Sequence, residues 1–96
     1  MVLAVEPARR RVVGFVNALA DGAHSAFLPL LEVLPDCRGK GIGRQLVRRM
    51  LRTLRHYPCV DLTCDPGLQA FYERSGMRRS TGMVIRNSRR RGPGAR

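Results

Sequence analysis

The sequence predicts one α/β (α+β) domain, a mixed and mostly antiparallel sheet with a single βαβ unit. Three observations carry this prediction. Short β-branched and aromatic runs open the chain, an Asp-Gly turn signal separates two of them, and an amphipathic helical stretch then leads into a further short apolar run. Strands joined by tight turns pair antiparallel, whereas strands joined by a helix pair parallel.

The first strand is read at Val2–Glu6 and is followed by a Pro-containing turn with solvated arginines. The second covers residues 11–20, where Val12, Val13, Phe15 and Val16 supply β-branched and aromatic side chains and Gly14 marks a bulge. Asp21 and Gly22 turn the chain into a third strand over residues 26–34, with Pro29 forcing a bulge or an edge position. Ile42, Leu46, Val47, Met50, Leu51 and Leu54 form one apolar stripe of a helix over residues 42–57, ended by Pro58. Residues 59–64 read as a fourth strand, parallel to the third. Residues 65–76 read as a second helix, with Asp65 as its cap, Pro66 in its first turn and Gly76 at its stop. Residues 77–87 supply a final strand or two. The terminal stretch 88–96 is rich in Arg and Gly and reads as a flexible tail after a domain over residues 1–87.

Composition narrows the function classes. Apolar residues make up 44% of the 96, enough for one modest core but not for a second domain. No apolar run approaches the roughly 20 residues of a membrane span. Three cysteines, Cys37, Cys59 and Cys64, make no disulfide framework and have no metal-knuckle spacing, so a reducing cytoplasm is expected and no metal is called for. The net charge of +11 fits a nucleic-acid partner, an anionic small ligand or a generally basic composition.

The segment "VLPDCRGKGIG" (residues 33–43) carries the chemistry. Gly39, Gly41 and Gly43 stand between an apolar run and a helix, among Arg38, Lys40 and Arg44. Glycine is costly in regular structure, so this pattern signals backbone that something approaches closely. The first amides of a helix lack acceptors and sit at the positive end of its dipole, which makes the junction an anion site. The spacing fits neither GxGxxG nor GxxxxGK[ST], so a dinucleotide or a nucleoside triphosphate is not favoured.

Here the chain resembles the GNAT superfamily of acetyl-CoA-dependent N-acetyltransferases. That family joins a central strand to a helix through "V-x-P-x-x-R-G-x-G-I-G", and this chain has Val33, Pro35, Arg38, Gly39, Gly41, Ile42 and Gly43 in those places. A second family pattern, "x-x-F-Y-E-x-x-G-F", is matched by Phe71, Tyr72, Glu73 and Gly76, with Met77 in place of the last Phe. The resemblance spans about residues 2–87. It implies splayed central strands, with acetyl-CoA as co-substrate and its pyrophosphate on Arg38, Gly39, Lys40, Gly41, Ile42, Gly43 and Arg44. The pantetheine arm is then expected to pair with the strand that holds Leu31 and Val33. Against the family pattern the sequence reads as a short form that opens on the hairpin, without the strand and helices that wall the acceptor site, so an open acceptor site, one completed by a partner subunit or a truncated form is expected. The sheet surface left bare is expected to be covered in a homodimer.

Acetyl transfer to an amine needs a neutral amine and a protonated leaving thiolate. The resemblance implies Tyr72 as the acid, a phenol with pKa near ~10 being well matched to a thiolate. The plain alternative is an aromatic that packs on the sheet. Glu32 is a candidate base if it is buried; otherwise it marks the solvated face of an alternating strand. Asp61 shares that ambiguity, and Cys64 is a small filler or a thiol near the thioester. The reading is an N-acetyltransferase for a small or protein amine. The competing class is a non-catalytic module of the same fold that holds the cofactor or binds nucleic acid through the Arg-rich helix and tail, with steep salt dependence.

Overall fold

The computed structural model describes residues 1–87; the expected tail, 88–96, lies outside the described residues. The chain runs β1 (Val2–Glu6), β2 (Arg11–Val16), β3 (Leu19–Ala20), β4 (Ser25–Phe27), β5 (Leu31–Val33), α1 (Ile42–Thr53), β6 (Cys59–Asp61) and α2 (Gln69–Glu73), with a 3₁₀ turn before each helix element at Pro35–Cys37 and Pro66–Leu68. The strands form two three-stranded sheets, β1-β2-β5 and β3-β4-β6. Every pairing is antiparallel except β4 with β6. This is the expected mixed α+β architecture.

The hairpin β1–β2 carries the bulge expected near Gly14. Ala4 pairs with Gly14 but Val5 pairs with Val12, which leaves Val13 as the extra residue. Gly14 is there because its neighbours leave no room: a Cβ would stand 2.9 Å from the Glu32 carbonyl oxygen and 3.2 Å from Leu46 Cδ1. β2 is thus clamped between β5 and α1. The Asp21 turn also forms. Its Oδ1 accepts from the backbone N–H groups of Ala23, His24 and Ser25 at 2.8, 2.8 and 3.1 Å.

The expected third strand over residues 26–34 is divided at Pro29, and its halves join different sheets. Proline has no N–H for a ladder. Next to it, Asn17 takes over: its N donates to Leu30 O at 3.1 Å and its Oδ1 accepts from Leu30 N at 3.0 Å. The first half, β4, pairs with β3 on one side and with β6 on the other. The second half, β5, pairs with β2. The parallel partner of β6 is therefore β4 rather than the whole run, and no strand among the described residues pairs with the other edge of β5. The second expected strand is likewise cut short at Val16, with Leu19–Ala20 as a separate piece.

The helix α1 lies on the β1-β2-β5 sheet. Leu46, Val47, Met50 and Leu54 are buried, and Val16, Ala26 and Leu28 meet most of this stripe from the sheets. The helix ends at Thr53, earlier than the sequence suggests, because the chain tightens into turns with Arg55 N on Arg52 O and Tyr57 N on Leu54 O. The second helix is also shorter than residues 65–76. Its first turn is 3₁₀, and Asp65 serves through its backbone, Leu68 N donating to Asp65 O at 2.9 Å, without a side-chain cap. Gly76, at φ +96°, supplies the expected stop. The final strands expected over residues 77–87 do not form. Met83, Val84 and Ile85 lie exposed, without ladder partners to fix them in a sheet.

Candidate active site

The glycine loop grows out of β5. Leu34 N donates to Val13 O at 2.8 Å, and the chain then turns through Pro35–Cys37 with Cys37 buried. Arg11 fastens this turn to the first hairpin. Its guanidinium donates to Glu6 Oε1 at 2.9 Å and to Asp36 Oδ2 at 3.0 Å. The pairing holds the Asp36 carboxyl below its ordinary pKa, chiefly through the hydrogen bond from Arg11. Local sequence patterns do not reveal Arg11, because its partners lie five and twenty-five residues away.

Two of the three glycines answer to backbone geometry. Gly39 and Gly41 have φ of +80° and +82°, the left-handed region that L side chains avoid. No atom lies within 4 Å of where a Gly39 Cβ would be, and only Arg44 Nη2 comes near that of Gly41. The peptide surface at both is open. Gly41 is the residue before the helix, and Gln45 N, the first regular helical donor, reaches its carbonyl at 3.1 Å. The amides of Ile42, Gly43 and Arg44 therefore have no intrahelical acceptor. No acidic side chain sits in this first turn, while Arg38, Lys40 and Arg44 are exposed around it. The arrangement suits a phosphate group, with donors, dipole and cations converging on one place.

Gly43 differs. Its Cβ would lie at ordinary contact distance from Phe71 Cζ, 3.5 Å, and from Val33 Cγ2, 3.8 Å. This glycine marks where α2 comes up against the end of β5 and the start of α1. Phe71 is the bridge between the two sequence motifs, and its ring meets that of Tyr72 edge-on at 5.0 Å.

β5 has one free edge. Leu34 N on Val13 O and Asn17 N on Leu30 O set the phase of its antiparallel ladder with β2. By the alternation of such a ladder, residues 30, 32 and 34 turn their backbone groups to β2, and Leu31 and Val33 turn theirs outward. Arg38 Nε occupies one of these acceptors, Val33 O, at 3.0 Å. The sequence pattern places Arg38 with the pyrophosphate; the structure adds this backbone contact, which joins residues five apart.

Tyr72 is half-buried and lines a cleft of about 510 Å³ with Phe27, Leu62, Cys64, Gln69 and Met77. Burial, and then Cys64, raise its pKa above the ordinary 10.0 of a phenol, so it holds its proton throughout the neutral range. Asp61 opens onto the same cleft but is exposed, and Cys59 donates to it at 3.3 Å. Glu32 is elsewhere. It pairs across the sheet with Phe15, which pairs with Leu3, and directly opposed residues share a face. That face is turned away from α1, and Glu32 is exposed on it. The burial that would have made Glu32 a base is absent, and it does not line the Tyr72 cleft. The loop and Tyr72 are thus brought together through Phe71, and Glu32 is left apart. Among the described residues no cluster of His, Cys, Asp and Glu is suited to a metal ion. No helix among them is long and apolar enough to cross a membrane.

Known proteins share this fold. A crystal structure from Deinococcus radiodurans, assigned to the acetyltransferases, is 46% identical, superposes with a TM-score of 0.81, and covers 88% of this chain and 59% of its own. A GNAT-family acetyltransferase from Streptococcus pneumoniae is 30% identical, with a TM-score of 0.70, over 79% of this chain and 63% of its own. Among curated proteins, the uncharacterized N-acetyltransferase ycf52 of Pyropia yezoensis is 27% identical over 71 residues, 72% of this chain and 41% of that protein. The chain spans less than half the length of the curated relatives it matches. The profile of the acetyltransferase (GNAT) family matches residues 2–77, hairpin, glycine loop and Tyr72 helix included, and the chain belongs to that family.

Proposed function

We propose that the chain moves an acetyl group from acetyl-CoA to a primary amine. The observation that carries this reading is the open glycine loop at the start of α1, packed through Phe71 against the helix that holds Tyr72. The amides of Gly39, Gly41, Ile42 and Gly43, with Arg38, Lys40 and Arg44, would hold the pyrophosphate. The outward backbone groups of Leu31 and the outward N–H of Val33, whose carbonyl is taken by Arg38, would hold the pantetheine arm as an added strand. Acetyl-CoA supplies the activated acyl group. Tyr72 delivers a proton to the departing sulfur, a role suited to a phenol kept protonated by its surroundings. The amine loses its proton to solvent, since the exposed Glu32 has no desolvated position from which to accept it. Homodimerisation would cover the apolar sheet face that carries Leu3, Val5 and Val12, which are 51%, 55% and 49% exposed.

Calorimetric titration with acetyl-CoA tests the first half of this reading. A screen of polyamines, aminoglycosides, amino acids and basic peptides, read by release of free thiol, tests the second. Binding with thiol release for at least one amine class is expected. No heat on titration overturns the site. Binding without thiol release from any acceptor overturns the transfer and leaves a cofactor-holding module of the same fold.

A further inference from the structure

The outer face of α1 has a charge pattern that the proposed transfer chemistry does not use. Between Asp36 and Asp61 the chain contains no acidic residue, and seven cations fall in that interval: Arg38, Lys40, Arg44, Arg48, Arg49, Arg52 and Arg55. At about 100° per residue, Arg44, Arg48 and Arg52 fall within an arc of about 80° on α1, with Arg49 beside it and Arg55 in the turn just past the helix end. The stripe is about 12 Å long from Arg44 to Arg52 at ~1.5 Å rise per residue. All five of these arginines are exposed. Among the described residues, no ion pair involves any of them. Among the described residues, the only hydrogen bond from their guanidinium groups is Arg55 Nη1 to Arg52 O, at 2.9 Å. Like charges four residues apart destabilise a helix. Arg44/Arg48 and Arg48/Arg52 are two such pairs, so the fold itself gains nothing from this face.

We infer that this face docks on the phosphodiester backbone of duplex nucleic acid. Every cation on the helix is arginine, whose planar fork pairs with phosphate oxygens through two parallel bonds. The apolar stripe of α1 is buried in the core, so the helix has no second face to sink into a lipid surface as interfacial helices do. The arginine face also carries no aromatic side chain, so it offers neither a stacking platform for unpaired bases nor the anchor of a protein interface. Regular charge without aromatic contact is how proteins meet a duplex backbone regardless of sequence. The inference does not depend on acetyl transfer, since Arg48, Arg49, Arg52 and Arg55 lie outside the glycine loop.

Fluorescence anisotropy of a labelled DNA duplex, titrated with the full chain between 50 and 200 mM salt, is the test. Log affinity should fall linearly with log salt, at about 0.9 per phosphate met. R48Q/R52Q removes two contacts while keeping helix propensity, and its slope should be shallower by about 1.8. R48K/R52K keeps the charge and should keep the slope. Circular dichroism on both variants verifies the fold. The inference is overturned if the parent fails to bind duplex at 50 mM salt, or if R48Q/R52Q leaves the slope unchanged. It is also overturned if R48K/R52K loses as much slope as R48Q/R52Q. Vesicles of phosphatidylserine and phosphatidylcholine form the final arm; tighter binding to them than to duplex, abolished by R48Q/R52Q, assigns the face to a membrane and overturns the inference.

Discussion

Two alanine substitutions two residues apart should act in opposite directions. At Gly41 the helix is entered at φ +82°, and the nearest atom to a new Cβ is Arg44 Nη2 at 3.4 Å, the movable end of a long side chain. Space is therefore not the obstacle at Gly41→Ala; backbone conformation is. Holding an L residue in the left-handed region costs about 1–2 kcal/mol. At Gly43 the backbone is ordinary helix, and the new Cβ would meet Phe71 Cζ at 3.5 Å, a normal contact. Gly43→Ala therefore carries no strain and regains up to ~1 kcal/mol of helix propensity. For a domain of this size each kcal/mol moves Tm by about 4–8 °C. Thermal denaturation should thus place Gly41→Ala below the parent and Gly43→Ala level with it or above. Calorimetry with acetyl-CoA should follow the same split. A loop that leaves its left-handed turn no longer aims its amides, and a tenfold loss, ~1.4 kcal/mol, is expected at Gly41. If Gly41→Ala melts and binds like the parent, the left-handed turn is not what the glycine provides, and the argument for the loop fails.

The remaining expectations can be checked with the same protein. Tyr72→Phe should keep the fold and acetyl-CoA affinity while turnover falls by roughly 10²–10⁴-fold, and the parent's rate should decline only above pH 10, as the raised phenol finally ionises; equal turnover in both proteins makes Tyr72 a packing residue. Glu32→Gln should leave kcat within about twofold, since an unburied carboxylate away from the cleft contributes little as a base; a drop of a hundredfold would restore it as one. Asp21 and Asp36 both titrate below their ordinary value in the folded state, Asp21 through the backbone N–H groups of Ala23, Ser25 and His24 and Asp36 through Arg11. Their stabilisation is present above the unfolded-state value of 3.8 and is lost as pH falls through their folded values, so the midpoint of denaturant unfolding should drop on acidification below about pH 4, and less so for Asp36→Asn. Light scattering should read a dimer at high micromolar concentration, and a monomer there would remove self-association as the cover of the Leu3, Val5 and Val12 face.

What the sequence determined by itself was local. The helix α1 is legible because its apolar residues recur at helical spacing, and its start is legible because glycines and cations gather where orphan amides need an anion. The Asp21 turn and the Gly76 stop are legible for the same reason: one side chain, or the lack of one, fixes the backbone around it. Tertiary structure decided the rest, because each remaining feature depends on residues far apart in sequence. Pro29 announces an interruption, yet only the positions of β2 and β6 determine that the two halves of the run join different sheets and leave an edge of β5 free. Glu32 sits in an apolar run that reads equally well as buried or exposed, and its pairing with Phe15, seventeen residues earlier, turns it to the outer face. Arg11 reads as a solvated strand residue until Asp36 arrives beside it. Residues 77–87 have strand-like composition but find no partner edge, and a strand exists only when another strand supplies its hydrogen bonds. The candidate site is itself of this kind: glycine loop and Tyr72 are separate motifs in the chain, and the approach of Phe71 to Gly43 makes them one place.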